Sequence, residues 1–439
     1  MQSPSSEGSA REAAWQWDAE DGGAAEAPGE VIAGGGDGPR LSRRRLLVGA
    51  GVLAAGGAVW AFGRSGAGEG LPAPKPTRPQ PTALSGPTPV WTYRGAETMT
   101  PERLTDPPGR PVYLSRNGLQ VLDPARGTAA RLLVFDPPEA RDWPNDLDML
   151  GKVAIGPDRL FTTTYEGHLE ARHLTDPGAD WSLPLPDDLQ GETRLAGYDH
   201  GVLYGYSWGR HRSDDAPAEH RLFALRVADR SFLWSVPTER EEQPITPATR
   251  VGGSFLACVR FLGNRAELVV REAATGRPLW TAPGDEDLRW CVAGPQDVYV
   301  PDGTGGVRAL RPGGEPGWTY SPARGESWRA LPPVPNGTRV YVARDNGVVT
   351  GHDADTGAVA WTCRLPYLLD RRTRPLVAND TLFVPGTAVG GVSAIHTTTG
   401  ELAWTFRDSG PGRDVWSLAT DGGRLYAGHD DVLHALPLA

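Results

Sequence analysis

The stretch Val340 to Leu365, VYVARDNGVVTGHDADTGAVAWTCRL, reads as three short strands that cannot fold by themselves. Val340–Ala343 is β-branched and aromatic, and Asn346-Gly347 supplies the pair that a tight hairpin turn requires. Val348–His352 follows, then a second turn at Asp355-Thr356-Gly357, then Ala358–Arg364 with Trp361 inside it. Three strands carrying one large indole cannot cover both of their faces, so the unit needs neighbours of its own kind.

The chain provides them. Residues 382–406 repeat the pattern, with Thr399-Gly400 and Trp404 in matching places. The branched-aromatic start recurs at Val112-Tyr113, Leu160-Phe161, Leu203-Tyr204, Phe255-Leu256, Val298-Tyr299, Val340-Tyr341, Leu382-Phe383 and Leu425-Tyr426, at intervals of 42 to 52 residues. The indole recurs as Trp181, Trp234, Trp280, Trp318, Trp361 and Trp404, usually after a Gly turn. The last unit ends before its Trp strand, and Val90-Trp91-Thr92-Tyr93-Arg94 stands at the other end of the repeat region to supply it. Radial repetition of such units makes a β-propeller, and closure by a strand from the opposite terminus leaves no exposed edge. The expectation is an all-β, eight-bladed propeller of four-stranded antiparallel blades over 89–439, closed by strand 90–94 and preceded by a single N-terminal transmembrane or signal helix. Trp91 and the six other repeated tryptophans are expected to pack between blades. Burying an indole removes on the order of 150–250 Å² from water, roughly 4–6 kcal/mol each as an upper bound.

The repeated pattern, a branched-aromatic pair, then G-x-[VL]-x-A-x-x-x-x-T-G-x-x-x-W, resembles the pyrroloquinoline quinone (PQQ) repeat family, best in the last three units. That resemblance implies the propeller fold. For function it leaves two classes open, since the family includes quinoprotein dehydrogenases and non-enzymatic scaffolds. The enzymes of the family are similar to one another in an adjacent Cys-Cys pair, a calcium held by acidic and amide side chains, and an Asp base. Here Cys258, Cys291 and Cys363 are scattered and no two cysteines are adjacent.

Ahead of the repeats, residues 1–40 set eight acidic side chains among Gly, Ala and Ser and are expected to be a disordered acidic tail. Residues 41–63 join Arg43-Arg44-Arg45 to the uncharged run Leu46–Phe62. Two readings stand: a single-pass anchor with its basic flank inside the cell, or a twin-arginine export signal. Both send the C-terminal propeller outside, and with no A-x-A cleavage site following, retention at the membrane is favoured. Residues 64–88 are a Pro-rich linker. A net charge of -10 speaks against nucleic acid as a partner.

No H-E-x-x-H, phosphate loop or EF-hand pattern occurs in the sequence. Candidate ligand-binding residues fall where the innermost strands begin, beside the central channel: Arg289, Trp290, Trp328, Arg329, Arg371, Arg413, Asp414 and Trp416. Aromatic faces beside guanidinium groups suit an anionic or sugar-like ligand, through stacking and forked hydrogen bonds. No catalytic residue, cofactor or metal is assigned. The expected function is a membrane-anchored extracytoplasmic binding, sensor or scaffold module for a protein or envelope ligand, and the alternative is a PQQ- and calcium-dependent oxidoreductase.

Overall fold

Burial along the strands separates inner from outer. Val298–Pro301 and Thr381–Pro385 are buried at every position, as is all but the end of Val348–Asp353, so the sheets are covered on both faces there. Val359–Arg364 instead alternates, with Trp361 and Cys363 buried and their neighbours exposed, as in an edge strand with one face packed.

The computed structural model describes residues 84–438 apart from 96–111, 116–117, 135–152, 165, 210–218, 246–249, 264, 285–287, 289, 312, 323–327, 371, 388 and 409–414. All described residues belong to one unit, Arg78–Ala439. Seven antiparallel sheets carry the four strands of a blade. In chain order their second strands are Arg159–Thr163, Val202–Gly209, Phe255–Phe261, Val298–Pro301, Arg339–Ala343, Thr381–Pro385 and Arg424–His429, and these sheets are called blades 1 to 7. Blade 7 takes its fourth strand from Trp91–Arg94, which pairs antiparallel with Val432–Pro437 from Trp91 opposite Ala435 to Arg94 opposite Val432. Leu84–Ser85 adds a short parallel strand outside Leu402–Phe406 of blade 6.

One expectation is corrected. The eight four-stranded blades become seven. The unit from Val112 gives a three-stranded sheet, Val112–Ser115, Gly118–Leu122 and Ala129–Val134, with no first strand among the described residues. The repeat landmarks sit on second to fourth strands only, so they count a unit without reporting its first strand. In this sheet Leu132 takes the register position of the blade Trp and is 53% exposed. The expected leading helix falls on residues 41–63, outside the described ones. The described residues contain no α-helix, only 3-10 turns such as Pro177–Ala179 and Asp187–Leu189, and no helix among them is long and apolar enough to cross a membrane. Segments 1–40 and 41–63 lie outside the described residues, as does most of 64–88.

The core is a chain of apolar clusters, each shared by adjacent sheets. One joins Phe161 and Leu169 of blade 1 to Leu203 and Phe223 of blade 2, another Tyr341 and Val349 of blade 5 to Leu382 and Ile395 of blade 6. The three-stranded sheet is bound on both sides, through Leu122 to Tyr426 and Leu433 of blade 7 and through Leu119 and Val121 to Leu160 of blade 1. The blade tryptophans work at these joints. Each lies on a fourth strand, and those of blades 4 to 6 meet the second-strand aromatic of the same blade: Tyr299–Trp318, Tyr341–Trp361 and Phe383–Trp404 have centroids 5.7–6.0 Å apart. The indole N–H then reaches the following sheet. Trp234 donates to the Ala273 carbonyl, Trp318 to Ala354 and Trp91 to Pro124, at 2.6–2.9 Å. Where blade 2 has Arg230 in place of the turn glycine, that residue takes φ +58 and its guanidinium stacks 5.2 Å from the Trp181 ring.

Candidate functional site

In a four-stranded meander, the turn between strands two and three and the connection from strand four to the next blade emerge at the same end. In blades 4 to 7 these segments are tied together. Arg344 donates from Nε to the Gly305 carbonyl at 3.1 Å and from Nη2 to the Tyr320 hydroxyl at 2.6 Å. The Asp345 N–H donates to the Arg329 carbonyl, its carboxylate accepts from the Arg329 N–H, and its own carbonyl accepts from the Leu369 N–H at 2.8 Å. Tyr367 shares a 2.6 Å hydroxyl hydrogen bond with Ser393, and the Trp416 N–H donates to the Gly386 carbonyl. On this tied surface three large apolar side chains stay exposed: Trp328 at 42%, Leu368 at 61% and Val389 at 79%. Trp328 and Leu368 each precede a residue bonded to Asp345, so two successive interblade connections meet at one turn.

The structure places the sequence candidates unequally. Trp328 and Arg329 lie on this surface, next to Asp345. Trp290 lies half-buried in the connection that enters blade 4. Trp416 is fully buried and packs against His429, with centroids 4.1 Å apart, and against Phe406. Arg289, Arg371, Arg413 and Asp414 lie outside the described residues.

Beside Trp416 is a cluster that the sequence reading missed. His429 closes the second strand of blade 7 and His434 lies on the third. The two-residue turn at Asp430-Asp431 sets His429 opposite Val432 and His434 opposite Ala427, so both imidazoles project from one face. Asp408, in the connection from blade 6, meets both. Its Oδ2 lies 2.8 Å from His429 Nε2 and 3.3 Å from His434 Nε2. The outer ring nitrogens are held too, His429 Nδ1 by Asp430 Oδ2 at 2.8 Å and His434 Nδ1 by Thr92 Oγ1, on the closing strand, at 3.0 Å. All three side chains are largely buried, and one donor atom from each lies within 4.8 Å of the others. Burial holds the His434 pKa below the usual histidine value, with the Asp408 carboxylate opposing it. The signal was a His pair spanning a tight turn in a strand of otherwise apolar residues. Asp408 is 21 residues away from His429, beyond any local pattern.

At the opposite end, where first-to-second and third-to-fourth turns gather, a cavity of about 230 Å³ is lined by Gln296, Asp297, Arg311, Gly317, Trp318 and Asp355. Burial pushes the Asp297 carboxyl up, and Arg311 opposes it. Cys258, Cys291 and Cys363 are buried free thiols, Cys363 pushed up to about 11 by burial.

Residues 303–436 match the family model described as outer membrane protein assembly factor BamB, a PQQ-repeat family. No curated protein matches the chain. Among solved structures, the computationally designed Ika8 protein aligns at 10% identity with a TM-score of 0.57, covering 81% of this chain and 99% of that one. A quinohemoprotein alcohol dehydrogenase from Pseudomonas putida aligns at 11% identity and a TM-score of 0.51, covering 81% and 77%. BamB from Moraxella catarrhalis aligns at 16% identity and a TM-score of 0.45, over 67% of this chain and 97% of that one. At such identities the likeness to Ika8 and to the dehydrogenase is one of fold.

Proposed function

We propose that this chain, a PQQ-like β-propeller, is a protein-binding scaffold displayed outside the cytoplasmic membrane and working by recognition rather than catalysis. The observation that carries the reading is the tied surface at the turn end of blades 4 to 6. Trp328, Leu368 and Val389 stand exposed there on loops that are hydrogen-bonded to one another. An exposed Trp among anchored loops is the kind of group that forms the energetic centre of an interface, because little ordering entropy is lost when it docks. Arg329 adds a cationic group at the edge of the patch. The assembly-factor description of the matched family agrees with a protein partner. The export reading of Arg43–Phe62 agrees with a position outside the membrane.

The test is site-specific photo-crosslinking in intact cells. Probes at Trp328, Leu368 and Val389 are expected to trap the same protein adduct, while a probe at Val359, exposed on the outer rim of blade 5, does not. Adducts from Val359 alone, or none from the three face positions, overturn the reading. Protease added to intact cells checks the location: digestion of the propeller is expected, and full protection refutes it.

A further inference from the structure

We propose that Asp408, His429 and His434 form a binding site for a zinc-class divalent cation that fastens the closing blade to its predecessor. The donor set is two imidazole Nε2 atoms and one carboxylate oxygen, which suits zinc and its late first-row neighbours and not calcium or magnesium. Zinc bonds of about 2.0–2.2 Å in tetrahedral array set donor atoms roughly 3.3 Å apart. The separations from Asp408 Oδ2, 2.8 and 3.3 Å, are within an ångström of that spacing, and all three donors lie within 4.8 Å of one another.

The surroundings are those of a held site. Each histidine has its second nitrogen engaged, His429 by the Asp430 carboxylate and His434 by the Thr92 hydroxyl, which turns the Nε2 lone pairs inward. The rings are fixed by aromatic neighbours, Trp416 at 4.1 Å from His429 and Phe406 at 5.2 Å from His434. Three protein ligands leave a fourth position for water or a partner's side chain.

The ligands and their supporting hydroxyl join three separate parts of the ring. Asp408 follows the last strand of blade 6, the histidines belong to blade 7, and Thr92 sits on the strand that completes blade 7 from the opposite end of the fold. Binding an ion here ties the closing strand, the blade and its neighbour at one point.

Zinc titration of the full-length chain, purified without a histidine tag and stripped with chelator, tests the site. One equivalent is expected to bind, and cobalt in its place is expected to show the visible bands of a tetrahedral ion. His429→Gln and His434→Gln should each abolish stoichiometric binding while circular dichroism stays that of the wild type. Asp430→Asn, which removes a positioning group, should weaken zinc about 10–100-fold. Failure of the wild type to retain zinc overturns the proposal, leaving a hydrogen-bonded triad. So does retention of a full equivalent by the His429→Gln, His434→Gln double variant. If either single variant is unfolded, Asp408→Asn is the replacement, and undiminished zinc binding by it would count equally against the site.

Discussion

The Trp361 indole donates its Nε1–H to the Thr397 carbonyl of the next blade at 2.7 Å, and both groups are buried. The bond makes the side chain a peg between two sheets and not only a filler within one. Trp361→Phe keeps much of the aromatic area but leaves that carbonyl without its donor, at a cost of about 1–3 kcal/mol. Trp361→Ala also empties the joint and should cost about 3–5 kcal/mol. Urea unfolding of the two variants beside the wild type separates the contributions. A Phe variant as stable as the wild type would show that the hydrogen bond contributes nothing net.

Trp361 also rests on a glycine. Gly400 has φ +73, and a methyl group added there would lie 2.6 Å from Cδ2 and Cε3 of the indole. Gly422 has φ +79 with nothing within 4 Å of the same added methyl. Gly422→Ala therefore reports the backbone cost alone, about 1–2 kcal/mol. Gly400→Ala adds overpacking against the Trp, about 1–3 kcal/mol more. Equal shifts in the unfolding midpoint would mean that the indole moves aside freely.

These contacts explain how much the sequence disclosed. The spacing of Tyr341 to Trp361 and of Phe383 to Trp404 was legible because both members of each pair lie within one repeat and touch in the folded blade. The turn glycines were legible for the same local reason. What the repeat could not report is the partner in the neighbouring sheet, since Trp361 and Thr397 come together only through ring packing. Trp416 shows the limit for candidate sites. Its place at the start of an innermost strand fits a channel-lining residue or a core residue equally, and packing against Phe406 and His429 makes it core. Trp328, with the same sequence credentials, stays exposed because it sits in the connection ahead of its blade.

Glu242, on the first strand of blade 3, is fully buried and carries two cations. Arg271 donates from Nε at 2.6 Å and from Nη2 at 2.9 Å, and Arg260 donates from Nη2 at 3.1 Å. Glu242→Gln keeps the shape and removes the charge, stranding a nearly buried guanidinium. The expected loss is about 3–5 kcal/mol, as for other broken buried pairs. The exposed Arg94–Asp431 pair on the closing strand is the control, and Asp431→Asn should barely move the unfolding midpoint. Similar shifts for the two variants would refute the view that burial, and not pairing itself, sets the cost.

His352 gives the fold a pH dependence whose sign can be worked out. It is fully buried, its Nδ1–H donates to the Gly357 carbonyl at 3.1 Å, and its Nε2 accepts from the Thr350 hydroxyl at 2.8 Å. Burial holds its pKa below the usual value. The Gly357 bond opposes that shift, and the Arg344 charge adds to it. Above about pH 6.5 the side chain is neutral both folded and unfolded, so its contribution is complete. As pH falls the unfolded chain takes up the proton first. Stability then drops with a slope approaching about 1.4 kcal/mol per pH unit, until the lower folded pKa is passed. His352→Gln keeps a polar side chain and cannot titrate, so its stability should fall less steeply between pH 7 and 5. Other buried histidines, His434 among them, contribute the same background to both proteins. Urea midpoints measured across that range decide it: parallel profiles for wild type and variant would show that His352 is protonated in the folded blade as readily as in the open chain.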